Sequence, residues 1–301
     1  MSRIHLQPVF LASRRGFSLI ELMVVIAILG LIVALAIPVL GSIEAQGRAV
    51  DELSGARATA AAWRDYATDR DGELLMGYYP DSDPEAEPLY DFNGDFILGG
   101  EPRKRWFWRL AAYVENAKEV FFPTALDTVR REIVDVPDHQ YATTLHPAYG
   151  LNGEWVGGLG EDVSNNLYAL YEYGDLKECP WAQRLSDIKK PSQLMIFASA
   201  RFGSMQGGGG SWLGGIVEGF HRIQSPCHPT SGFQWAATPE GSPVDLMTDD
   251  PADHGFVSAR HNGKAVTAMV DGSTALERPS QLADMRRWAN GAWKRDWVLV
   301  P

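Results

Sequence analysis

Residues 17–40, FSLIELMVVIAILGLIVALAIPVL, carry no strongly polar side chain except Ser18 and Glu21. As a helix rising ~1.5 Å per residue, this run is about 36 Å long, enough to cross a bilayer. Arg14 and Arg15 stand immediately before it. The preference of basic residues for the cytoplasmic side keeps that end inside and sends everything after Leu40 across the membrane. A secretory signal peptide has a shorter apolar region closed by a small-residue cleavage site, whereas here the helical pattern continues. The conspicuous oddity is Glu21, because a carboxylate in hydrocarbon costs at least ~2.5–3.5 kcal/mol unless it is paired.

Beyond the apolar run, Ile43, Val50, Leu53, Ala60 and Trp63 recur at helical steps. Glu44, Arg48, Asp51, Glu52, Arg57 and Arg64 fill the other positions, as an amphipathic helix requires. Asp69, Asp71 and Gly72 form a stop signal, which places the helix end near Thr68. The pattern predicts one helix of about fifty residues and ~80 Å, apolar in its first half and amphipathic in its second. Pro38 lies inside it and removes one backbone donor, which predicts a kink or local melting.

Arg14-Arg15-Gly16, then Phe17-Ser18-Leu19-Ile20-Glu21, then the apolar run with Pro38 near its end, closely resemble the N-terminus of type IV prepilins and pseudopilins. The resemblance covers about the first forty residues. It implies that a prepilin peptidase cuts after Gly16 and methylates the new amine of Phe17, and that the helix mediates assembly with like subunits. It also implies a division into a leader at 1–16, a transmembrane and assembly segment at 17–40, an amphipathic continuation at 41–70 and an extracytoplasmic head at 71–301. The fold class expected is α+β and pilin-like, with the long N-terminal helix packed on a head that holds an antiparallel sheet. Cleavage would also supply Glu21 with a cation, the Phe17 amine of the same or a neighbouring chain. A neighbour's amine would turn a buried charge into an assembly register.

The formal charge is −11, and the basic residues Arg3, Arg14 and Arg15 all lie in the first sixteen, so the remainder is more acidic still. Such a surface disfavours nucleic acid. Cys179 and Cys227 are the only cysteines; they fit either one disulfide outside the cytoplasm or two separate thiols. Residues 80–102 read as an acidic exposed loop with a short strand at 96–98. Trp106, Leu110 and Tyr113 form the stripe of a short helix. Strands are predicted at 119–122, 132–136, 193–199 and 215–220, a short helix from Pro279, and a closing edge strand in the terminal DWVLVP. The glycine run 207–210 reads as a loop, without the Lys-Ser/Thr of a phosphate-binding loop.

Within residues 255–277, Asn262-Gly263 and Asp271-Gly272 are tight-turn dipeptides between strand-like segments, which predicts a three-stranded meander. The spacing of His261, Asp271 and Gly272 resembles the H-x9-DG pattern of a set of prepilin-like proteins. Ala148-Tyr149-Gly150-Leu151-Asn152 and Lys190-Pro191-Ser192 fit that resemblance too. The cysteine usual in that set is missing from VFFPT at 120–124. Two-residue turns would leave His261 and Asp271 about 20 Å apart across seven strand residues, which argues for a strand-end hydrogen-bonder and a turn former rather than a catalytic pair. His221, His228 and His254, near Cys227, Asp249, Asp250 and Asp253, lack recognised metal-ligand spacing. The Asp-rich stretch 245–255 could hold calcium but does not match an EF-hand loop, so no cofactor is assigned. With no nucleophile elbow or paired-acid signature, the chain reads as no enzyme. The ten tryptophans read as core and lid residues.

The expectation is thus a prepilin-like filament subunit of a type IV pilus or a type II secretion pseudopilus. It would sit in the inner membrane by a single pass with its head in the periplasm, its partners being prepilin peptidase and related pilin subunits. The alternative is a membrane-tethered envelope protein that keeps the processing signal, never polymerises and uses its head as a binding module.

Overall fold

Leu19–Asp69 forms one uninterrupted helix, α1, in the computed structural model, which describes residues 17–80, 87–134, 138–159, 179–203, 215–228, 232–233, 235 and 250–299. The helix continues through Pro38 despite the one backbone donor that proline lacks, so the local melting expected there does not occur. The helix stops where its sequence changes. Asp71 (φ 53°) and Gly72 (φ 87°) turn left-handed, and the Gly72 N–H reaches back to the Ala67 carbonyl at 2.8 Å. This is the Schellman closure that satisfies a helix's last carbonyls.

The chain divides into two compact units, Met1–Gln46 and Gly47–Pro301, so the amphipathic part of α1 from Gly47 belongs with the head. Its buried residues include Ala49, Glu52, Ala56, Thr59, Ala60, Trp63, Tyr66 and Ala67, which recur at steps of three and four, with Gly55 and Ala62 buried beside them. The stripe differs from the expected one at its start. Val50 is 65% exposed and Leu53 only partly buried, while Glu52, expected on the polar face, is fully enclosed. Small residues allow close approach along this face. A Cβ added at Gly55 would lie 2.5 Å from the Tyr149 hydroxyl and 3.1 Å from the Val120 carbonyl oxygen.

The head's main sheet has four antiparallel strands: β1 (Tyr149–Leu151), β2 (Met195–Ser199), β7 (Ala265–Met269) and β8 (Thr274–Glu277), in the order β1-β2-β7-β8. Every residue of β2 and β7 is buried, as expected of central strands covered on both faces. Ile196 forms a bulge where the β2–β7 register shifts. Two-stranded ribbons pair β3 (Arg201–Phe202) with β4 (Val217–Glu218) and β5 (Cys227–His228) with β6 (Gly232–Phe233). The layout is α+β and pilin-like: a long N-terminal helix and a head built on an antiparallel sheet.

Short helices fill the segment before β1: α2 (Glu101–Lys104), α3 (Phe107–Ala111), α4 (Ala117–Phe121), α5 (Asp127–Val134) and α6 (His139–Leu145). The strands expected at 119–122 and 132–136 fall in α4 and after α5 begins, so both are corrected to helix as far as residue 134. The reason is spacing: Ala117 and Phe121, then Leu126, Val129 and Ile133, are buried at steps of three and four rather than two. Of 215–220, only Val217–Glu218 is strand. The strand expected at 96–98 reduces to a bridge between Tyr90 and Phe96. The meander becomes the β7–β8 hairpin, its first limb making only isolated bridges, Ala200 with Val257 and Arg260 with Lys264. After α7 (Pro279–Leu282), residues 296–299 form no strand, correcting the edge strand expected there. Trp63, Trp106, Trp155 and Trp288 are fully buried core residues, while Trp293 is 71% exposed. The glycine run 207–210 lies outside the described residues.

Candidate functional site

Gly16 lies outside the described residues; Phe17 and Ser18 lead directly into α1. The Ser18 N–H donates to Glu21 Oε2 at 2.8 Å, and the Glu21 N–H donates to Ser18 Oγ at 3.2 Å. This reciprocal pair is a capping box, which satisfies two backbone donors that a helix start leaves without partners. Glu21 therefore has a local task that charge pairing alone did not suggest. The S-x-x-E spacing at 18–21 was the signal for it. All described side chains between Phe17 and Leu40 are exposed, including Leu22, Ile26, Leu29, Val33 and Ile37. Apart from the adjoining backbone of α1 itself, no atom of the described residues lies within 4 Å of where a Cβ would stand on Gly30. Length and composition make α1 the one helix among the described residues able to cross a membrane.

The second arrangement sits in the head, where α1 meets the sheet. Glu52 is clamped from the segment before β7. Arg260 Nε donates to Glu52 Oε2 at 2.8 Å and Nη2 to Oε1 at 2.6 Å, while His261 Nε2 stands 2.7 Å from Oε2. Arg260 Nη1 also donates to Glu218 Oε2 at 2.7 Å and to the Ala200 carbonyl at 3.1 Å, and Nη2 donates to the Ala148 carbonyl at 3.0 Å. Ser258 Oγ donates to the same Glu218 oxygen. Burial pushes the Glu52 carboxyl upward, but the charges and hydrogen bonds of Arg260 and His261 outweigh it and hold it below the usual carboxylate range. Burial likewise works against the Arg260 cation, and Glu52 and Glu218 overcome it, leaving Arg260 more firmly protonated than a free arginine.

His261, just before β7, thus meets the helix through Glu52. Asn262 (φ 52°) and Gly263 (φ 73°) both adopt the left-handed conformation of a type I′ turn that delivers Arg260 and His261 to Glu52. Asp271 is at the other end of β7. Its Oδ1 accepts from the Ser273 N–H and hydroxyl, and its carbonyl accepts from Arg64 Nη1 of α1. The Met269 and Ser273 pairing leaves Val270, Asp271 and Gly272 as a three-residue loop, with Gly272 left-handed (φ 86°), rather than the two-residue turn expected. The structure does not bring His261 and Asp271 together; it anchors each to a different turn of α1. Sequence reading missed Glu52 and Arg260, 208 residues apart.

Cys179 and Cys227 are not bridged. Cys179 Sγ donates to the Trp181 carbonyl, and Cys227 is buried in the core cluster on β5. Burial raises both thiols, Cys179 to about 11. Among the described residues no three His, Cys, Asp or Glu side chains gather as a metal site. His221 is buried against Phe220, and His254 against Trp235. The His228 side chain and residues 245–249 lie outside the described residues, and Asp250 caps the turn Pro251–His254.

A membrane-length helix opened by a Ser–Glu capping box and continued into a sheet-bearing head defines a pilin-like class of protein. Residues 11–37 match the model of the prokaryotic N-terminal methylation motif. The chain thus carries a prepilin-type N-terminal motif, which supports a type IV pilin-like precursor and implies processing by a prepilin peptidase and association with a membrane. No curated protein and no solved structure matches the chain.

Proposed function

We propose that the chain is a structural subunit, cut between Gly16 and Phe17, methylated on the Phe17 amine, and assembled through α1 with like subunits into a type IV pilus or a type II secretion pseudopilus. The match over residues 11–37 carries this reading. The precursor is anchored in the inner membrane with its head in the periplasm, and helix packing replaces lipid around the apolar half on assembly. Ala27, Gly30 and Ala34 permit close helix approach there. The Ser18–Glu21 box uses Oε2, while the other carboxylate oxygen accepts the amine created by cleavage. On this reading the head resembles the H-x9-DG prepilin-like proteins, supported by the way His261 and the Asp271 loop both fasten α1.

Glutamine also completes a capping box. Glu21→Gln therefore keeps the helix start and removes the charge, whereas Glu21→Ala removes both. Normal processing with loss of sheared filaments in both variants supports charge pairing during assembly. Wild-type filament yield from Glu21→Gln would leave capping as the residue's whole role. If the mature wild-type protein is never recovered in sheared particles, it is instead a tethered envelope protein.

A further inference from the structure

A cavity of about 130 Å³ opens in the head between the loop carrying Asp91, Phe92 and Asn93 and the helices α3 to α6. Its apolar wall is Phe92, Trp108, Phe122 and Ile133, with the Phe92 and Trp108 rings edge to face at 4.9 Å. Its polar wall holds Lys118, Arg130, His139 and Thr143. The one acid lining it is spent. Asp91 Oδ1 accepts from the Asn93 and Asp95 N–H groups, and Oδ2 from Gln140 Nε2 at 2.9 Å and His139 Nε2 at 3.0 Å. Burial would raise that carboxyl, but these donors together hold it below its ordinary range, so it stays a fully occupied anion.

The donors are not all spent. Thr143 is 5% exposed, and its hydroxyl has no partner among the described residues. The buried Trp108 Nε1–H has none either. Lys118 makes no ion pair among the described residues, whereas Arg130 pairs with Asp127 at 2.6 Å. A buried polar group without a partner, as the Trp108 Nε1–H is, costs about 1–3 kcal/mol, and such a group in a native site calls for an explanation. The surplus of donors over acceptors, in a protein of net charge −11, calls for an anionic acceptor. The aromatic wall calls for a ring with at least one apolar face. The volume fits about one six-membered ring, since a cavity of about 150 Å³ holds benzene.

We propose that this cavity binds a ring-sized carboxylate, its ring against Phe92, Trp108 and Phe122 and its carboxylate toward Lys118 and Thr143. Two sources share that chemistry, a uronic acid and an aromatic acid. Sugar rings stack on aromatic side chains, and benzoate-like rings pack edge to face against them. The charge-assisted bond to Lys118 supplies the preference for acid over neutral ring.

The test is calorimetric titration of the full-length protein in detergent with glucuronate, benzoate and, as the neutral control, glucose. Saturable binding of glucuronate alone assigns a sugar acid, and binding of benzoate alone an aromatic acid; binding of both supports the shared chemistry. Lys118→Gln changes an exposed side chain and weakens acid binding about tenfold, with Thr143→Val weakening it by a smaller factor. Thermal melts of both variants without ligand check that the head stays folded. Failure of both acids to bind, glucose binding as tightly as the acids, or Lys118→Gln leaving affinity unchanged would each overturn the proposal.

Discussion

Arg260→Met keeps most of the aliphatic stem but removes a guanidinium that makes five hydrogen bonds, to Glu52, Glu218 and the Ala148 and Ala200 carbonyls. The Arg260 and Glu52 side chains are 7% and 0% exposed, so water cannot replace what is lost. Two unit charges about 4 Å apart attract by ~4 kcal/mol at an effective dielectric of 20. Breaking one side of a buried pair typically costs about 3–5 kcal/mol, because the other charge stays enclosed. We expect Arg260→Met to destabilise the head by about that amount. Adding Glu52→Gln should return part of the loss, since the uncompensated charge is then gone. Urea titration in detergent micelles followed by tryptophan fluorescence reads this out. All ten tryptophans lie at or beyond residue 63, so the signal comes from the head rather than the apolar helix. A loss below about 1 kcal/mol, the worth of an exposed ion pair, would refute the view that this cluster fastens α1 to the sheet.

Three further outcomes follow from the same geometry. Burial, aided by the Arg105 charge and only partly offset by the bond to the Gly219 carbonyl, lowers His146 to about 4; burial lowers His221 well below its ordinary value. The unfolded chain takes up those protons first, so head stability falls as pH drops from about 6.5 toward 4, His146 alone contributing about 2 kcal/mol by pH 5. Denaturant midpoints that stay level from pH 8 to 5 would contradict this. The depressed carboxyl of Glu52 adds stability that is present above about pH 4.5 and lost as pH falls through its folded value. Gly55→Val should destabilise by about 1–3 kcal/mol through collision with Tyr149 and Val120, and Tyr149→Phe should relieve part of it, checked by the same urea titration.

The long helix, its stop at Asp69, Asp71 and Gly72 and the turn at Asn262-Gly263 were legible because each is a local signal within a few residues. The type I′ turn at Asn262-Gly263 follows from two residues that tolerate positive φ. The short helices α4 and α5 were misread because Val120-Phe121-Phe122 and Ile133-Val134 are short apolar runs in which β-branched and aromatic composition outweighs a period visible over only one or two turns. The Glu52 clamp needed tertiary structure, since Arg260 is 208 residues away. One signal was present even so. Glu52 lies three residues after Ala49 and four before Ala56, on the same face as Ala60 and Trp63. A carboxylate on an apolar face asks for a buried cation. Glu21 posed a similar question, and there the local answer, Ser18 three residues earlier, could be read directly from the chain.

Intact mass of the protein extracted from membranes tests the central claim most directly. The account predicts the mass of the chain beginning at Phe17 with one added methyl group, the change lying entirely in the N-terminal fragment. The unshortened mass, with residues 1–16 still attached, would contradict it.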